Sequence, residues 1–163
     1  MSNPLIANIS LLFADSPMQE RFQRAADLGF RLVEIQFPYE WPAEDLKAWA
    51  DAAGVSVYLI NVPAGDLLSG GHSYSCHSQY HNEFLAACKQ AIEYGRELGV
   101  SYINVLASNI DKTDDREACL SVYVESIRYA AELMLHEGIQ VTFEAINSVD
   151  MPRYLMNSFD EMK

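Results

Sequence analysis

Two rhythms alternate along the chain. Short runs rich in β-branched and aromatic residues recur at 5–13, 32–37, 55–61, 102–106 and 141–147, and such runs predict strands. Between them apolar residues return at helical spacing. The four stripes are Phe22, Ala25 and Ala26, then Leu46, Trp49, Ala50 and Ala53, then Phe84, Cys88, Ala91 and Ile92, and last Leu120, Val124, Ile127, Ala131 and Met134. Ser16-Pro17 with Gln19 reads as a capping box opening the first helix, and Trp41-Pro42 opens the second. Every helix closes on one joint: Leu28-Gly29-Phe30, Ala53-Gly54-Val55, Leu98-Gly99-Val100 and Glu137-Gly138-Ile139. A glycine there predicts a left-handed C-terminal cap. From 62 to 81 the pattern breaks into a long polar loop punctuated by Pro63, Gly65, Gly70 and Gly71, and loops this long are more often functional than idle. Asp150-Met151-Pro152 reads as a turn, with Asn157 or Ser158 capping a last short helix.

Strand–helix alternation predicts an α/β protein with a parallel sheet and right-handed crossovers. Strands buried on both faces would be apolar throughout. These instead carry polar residues on one alternating face: Asn8 and Ser10, Glu34 and Gln36, Asn61, Asn104, then Thr142 and Glu144. Several stand near the C-terminal ends of their strands, where barrel active sites form and where open sheets bind ligands. Any one buried Asn or Thr serves equally well as a backbone partner. Five strands that all carry such residues point to a site. Glu144 is the sharpest case, because a carboxylate closing a buried apolar strand is costly unless it has a partner or a task. The first strand–helix turn, Phe13 to Pro17, has no glycine and so no phosphate-cradling fingerprint.

Five strands and four complete helices fall short of the eight units and about 250 residues of a full barrel. Residues 1–163 therefore read as a single domain, either a five-stranded open sheet or the front part of a (β/α)8 TIM-type barrel. The second form leaves edges at the first and fifth strands, which predicts a homo-oligomer paired through them.

The net charge of −12 repels phosphate backbones and argues against a nucleic-acid partner. Half the residues are hydrophobic and 21% are charged, as in soluble globular proteins. No apolar run is long enough to span a membrane, and Met1-Ser2-Asn3-Pro4 carries no signal-peptide pattern. Three cysteines without C-x-x-C spacing fit a cytoplasmic, reducing setting and read as small apolar fillers. His72, His77 and His81 lie close in sequence. On one helical turn the last two would ligate a metal at i, i+4, and otherwise they are loop residues near a pocket mouth.

Asn8-Ile9-Ser10-Leu11-Leu12-Phe13 resembles the opening strand of the hydroxypyruvate isomerase family, within the xylose-isomerase-like TIM barrels. Gly29-Phe30, Val33-Glu34 and Phe37-Pro38-Tyr39 are similar to its second strand and exit. Asn61-Val62-Pro63-Ala64-Gly65-Asp66 is similar to the loop after the third strand, and Ser126-Ile127-Arg128-Tyr129-Ala130-Ala131 to the helix before the fifth. The strongest match is Glu144-Ala145-Ile146-Asn147 with Asp150-Met151-Pro152.

The resemblance implies an aldose–ketose isomerase that interconverts hydroxypyruvate and tartronate semialdehyde through an enediolate. It implies a divalent metal, Mg²⁺ or Mn²⁺, with Glu144 as metal ligand and catalytic residue. It places Asn8, Phe37, Asn61, His72 and Asn104 as substrate contacts and Glu34 as a buried hydrogen-bonding partner. The family's other metal ligands and second glutamate come from later strands. Gly70-Gly71-His72-Ser73 stands where the family usually has Gly-Glu-Arg-Gly, and Ser78-Gln79-Tyr80 where it has Pro-Gly-Arg. Arginines that would grip a substrate carboxylate are thereby replaced. The alternatives are a ketose or sugar-acid epimerase on the same barrel, or a catalytically silent chain that self-associates. DNA repair on a related barrel is disfavoured by the charge.

Overall fold

The computed structural model describes residues 4–162. Five strands form one parallel sheet: β1 (Ile6–Asn8), β2 (Leu32–Ile35), β3 (Ser56–Asn61), β4 (Tyr102–Asn104) and β5 (Gln140–Thr142), in spatial order β1-β2-β3-β4-β5. The crossovers are α1 (Met18–Asp27), α2 (Ala43–Ala53), α3 (His81–Leu98) and α4 (Arg116–Leu135). Sequential order with crossovers of one hand places all four helices on one side of the sheet, the outer layer of a barrel. No described helix is long and apolar enough to cross a membrane.

The core lies between sheet and helices. Val33, Ile35, Val57, Ile60 and Ile103 are sealed there with Phe22, Ala25, Leu46, Cys88, Ala91, Ala130 and Met134. Gly95 lets α3 settle on the sheet: a Cβ there would lie 3.1 Å from both Ile103 Cδ1 and Ile139 Cδ1.

The repeated joint is one motif used four times. Gly29, Gly54, Gly99 and Gly138 all take left-handed φ, between 66° and 87°. The residue after each donates its N–H back five residues, Phe30 to Ala25, Val55 to Ala50, Val100 to Gly95 and Ile139 to Met134, at 3.0–3.1 Å. This is the Schellman closure, which satisfies the orphan carbonyls of the helix end.

Three local expectations are corrected. Ser16 does not cap α1. Its hydroxyl accepts from Arg24 Nη1 at 2.8 Å, and Pro17 occupies the cap position without a side-chain bond. Arg21 meanwhile donates to the carbonyls of Ile9 and Ser16, at 3.0 and 2.8 Å, so two arginines organise the turn instead. β5 ends at Thr142 rather than at Asn147, because the chain leaves the sheet and turns back onto the loop after β4. There Leu155 N–H donates to Ser108 O at 2.9 Å and Ile110 N–H to Arg153 O at 2.8 Å. The last helix is a short 3₁₀ turn, Phe159–Met162, held by Glu161, which accepts from the N–H groups of Asn157 and Ser158.

Candidate active site

Strand register brings the polar residues into one row. Asn8 is level with Glu34, and Asn61, Asn104 and Thr142 stand side by side. Asn104 is the hub. Its Nδ2 donates to Asn61 Oδ1 at 3.2 Å and to Glu144 Oε1 at 2.8 Å, and its Oδ1 accepts from Thr142 Oγ1 at 3.3 Å. Three bonds nearly exhaust an amide side chain, so Asn104 is fixed in orientation and fixes Glu144 in turn. At the other end Asn8 Nδ2 donates to Glu34 Oε1 at 2.8 Å, and Asn8 Oδ1 accepts the Ser10 N–H at 3.1 Å.

A bulge sets this row. Val33 pairs with Val57 but Glu34 pairs with Leu59, so Tyr58 is an extra residue on β3. Ile60 thereby joins Val57 on the helix side, and Leu59 and Asn61 face the polar side with Asn104.

Two carboxylates share this face. Burial raises the Glu34 carboxyl above its ordinary value, and the Glu144 charge adds to the rise. The two are thus within electrostatic reach, an arrangement that pushes carboxylates toward different proton affinities. Glu144 is exposed, which corrects the expectation of a buried strand carboxylate. It stands two residues beyond the end of β5, where the sheet no longer covers it. Carboxylate and amide oxygens stand on this face, and one or two carboxylates with water suit Mg²⁺ or Mn²⁺.

The loops after β3 and β4 lie against each other at the same end of the sheet. Ser73 N–H donates to Ser108 Oγ at 2.9 Å, Ser75 Oγ donates to Leu106 O at 2.6 Å and Asn109 Nδ2 donates to Gly71 O at 2.9 Å. His72 is part of this seam: Nδ1 meets Asn109 O at 3.0 Å and Nε2 faces Asp111 Oδ2 at 3.3 Å. Phe37 packs half-buried against the core beyond the end of β2. Hydrogen bonds therefore join Asn61, Asn104 and Glu144 in one cluster and Asn8 with Glu34 in another, the two related through the Glu144 charge felt at Glu34, while the polar contacts of His72 lie in the loop seam.

His77 and His81 do not share a helical turn. A 3₁₀ turn, Ser78–Tyr80, separates them, and α3 begins only at His81. His77 instead meets His72, with ring centroids 4.5 Å apart. The three cysteines are free and buried. Burial pushes the Cys76 and Cys88 thiols up to about 12, which removes them as nucleophiles.

Fold and site together define a parallel (β/α) barrel-type protein with hydrogen-bonded carboxylates at its strand ends. The chain belongs to the xylose isomerase-like TIM barrel family, which matches residues 22–163. It is 36% identical over 148 residues to a hydroxypyruvate isomerase from Escherichia coli, covering 91% of this chain and 57% of that protein. It is 35% identical over 155 residues to a 2-oxo-tetronate isomerase from Cupriavidus necator, covering 95% and 60%. The fold is shared with a solved protein described as an AP endonuclease of family 2 from Brucella melitensis, with a TM-score of 0.88, 32% identity and coverage of 94% and 60%. The chain thus spans about 60% of the length of these relatives.

Proposed function

We propose that this chain supplies the first five strands of an aldose–ketose isomerase for a small hydroxy-oxo acid, with hydroxypyruvate as the first substrate to test. The observation that carries the reading is Glu144, held by the Asn104 amide on an open polar face just past β5. Isomerisation moves a proton between adjacent carbons, so it needs a base of fixed orientation beside the substrate. Asn104 gives Glu144 that orientation. Glu34, whose carboxyl holds its proton to higher pH, is the nearby group suited to donate. The Asn61 amide offers a contact for a substrate hydroxyl or carbonyl oxygen, while the Asn104 amide is committed to Asn61, Thr142 and Glu144. Glu144 is also the residue that would hold a divalent ion, with water completing its shell. Such an ion, when bound, stabilises developing negative charge on the substrate oxygens. The buried free cysteines suit a cytoplasmic setting.

The second reading is a silent chain that self-associates. Among the described residues β1 and β5 each pair with a single strand, and such edges favour pairing with another copy.

One experiment separates the readings. The 163-residue chain is assayed with hydroxypyruvate and with free ketoses in the presence of Mn²⁺, beside Glu144→Gln, while size-exclusion chromatography follows its association. Turnover of hydroxypyruvate that falls at least about 100-fold in E144Q supports the isomerase. Turnover of a ketose alone redirects the reading to an epimerase. An inactive oligomer supports the silent reading.

A further inference from the structure

We propose that His72, His77 and Asp114 form a second metal site, separate from the strand-end carboxylates, that takes a borderline transition-metal ion of the Zn²⁺ class. Their ligand atoms all lie within 4.8 Å of one another, and all three residues are half-buried. No other group of three or more His, Cys, Asp or Glu among the described residues meets that spacing. The residues come from two loops, His72 and His77 from the one after β3 and Asp114 from the one after β4. The histidines owe their meeting to the 3₁₀ turn that detaches His77 from α3.

Donor chemistry selects the ion. Two imidazoles and one carboxylate match the three-ligand zinc pattern and suit Mg²⁺ poorly. Zinc bonds of about 2.0–2.2 Å place tetrahedral ligand atoms about 3.4 Å apart, so side-chain rotations that draw the groups together by at most about 1.4 Å close the set. Support for the rings is already in place. His72 Nδ1 meets the Asn109 carbonyl at 3.0 Å, the contact that fixes a metal-ligating histidine as donor on one nitrogen and ligand on the other. Its Nε2 then faces Asp111 Oδ2 at 3.3 Å. The other Asp111 oxygen is held by Arg153, so the fourth coordination position is open to Asp111 Oδ2 or to water. A groove lined by Cys76, His77, Asp115 and Cys119 opens beside His77.

An ion here cross-links the two loops that rise from the C-terminal ends of β3 and β4. It orders the rim of the site without touching the Asn104–Glu144 pair. The test is a calorimetric titration of the full chain with ZnCl₂, repeated with CoCl₂ while absorbance reports tetrahedral coordination. One equivalent of Zn²⁺ binds the parent chain and raises its thermal midpoint, as any ligand specific to the native state does. His72→Ala and His77→Ala each weaken binding about 100-fold or more and abolish the thermal shift. Far-UV circular dichroism checks that both variants stay folded, and Asp114→Asn provides a third probe that leaves the rings in place. Glu144→Gln keeps the zinc affinity of the parent, so failure of this site and failure of the isomerase reading are read from different variants. Absence of Zn²⁺ binding at micromolar concentration, or equal binding by the parent chain and both folded histidine variants, overturns the proposal.

Discussion

On the helix side of the sheet Val33, Ile35, Val57, Ile60 and Ile103 are sealed from water. On the other side Asn8, Glu34 and Thr142 stay half-exposed, and Asn104 ties its neighbours together through its amide. The two sets alternate along the same strands, one residue apart. What separates them is the covering layer. Helices exclude water from one face, and there the hydrophobic effect dominates. The other face keeps water or a ligand, so polar groups stand there without the penalty of unsatisfied burial. Stability and chemistry are thus assigned to opposite parities of one backbone, and substitutions one residue apart separate them.

The largest effect belongs to the sealed face. Ile103→Ala removes a side chain wedged beneath Gly95 of α3 and is expected to destabilise the fold by about 2–5 kcal/mol, measured by urea unfolding. A loss under about 1 kcal/mol would mean that α3 does not press on the sheet as described. One residue on, Asn104→Ala is expected to cost about 1–3 kcal/mol, because it leaves the Asn61 amide oxygen, the Thr142 hydroxyl and Glu144 without their shared partner. It also frees Glu144, so any Mn²⁺-dependent turnover should fall in a variant that remains folded. Full activity in folded N104A would show that Glu144 is not positioned by this amide.

The smallest effect is the pH dependence of Glu34. Its folded carboxyl binds a proton more tightly than the ordinary value of 4.5, so the native state holds more protons than the unfolded chain above that pH. The stability due to protonated Glu34 is therefore full below about 4.5 and is lost as pH rises through the folded value. Glu34→Gln should flatten that slope and gain stability relative to the parent on its alkaline side. Urea midpoints that run parallel for both chains from pH 4 to 8 would show that burial and the Glu144 charge do not raise the Glu34 carboxyl.

Strand order, parallel pairing and the four glycine joints were legible because each is a local pattern repeated along the chain. The polar row was legible for a related reason: period-two spacing places Asn8, Glu34 and Asn104 on one parity without knowledge of the fold. Features that depend on distant partners were not. Ser16 has the residues of a capping box, yet Arg24, eight residues on, claims its hydroxyl. β5 ends where the chain turns back onto the loop after β4, and there the Tyr154 hydroxyl accepts the Ala107 N–H at 2.7 Å, a contact that no local pattern announces. The meeting of His72, His77 and Asp114 depends on how two long loops stack. The one available signal was the density of histidine in the first of them, and the spacing pointed to His81 instead of His72.

Tyr58 touches neither Glu144 nor Asn104 in the hydrogen-bond network, yet it decides on which side of the molecule Asn61 stands. Counted as an ordinary strand, β3 would carry Val57, Leu59 and Asn61 on a single face, and an amide would point into the hydrocarbon of α2 and α3. The additional residue shifts the reading frame of the strand halfway along, so its first half serves the interior and its last residue the site. Deletion of Tyr58 would remove the bulge and leave Asn61 facing the site, whereas drawing Tyr58 into the regular ladder would turn Asn61 toward the helices.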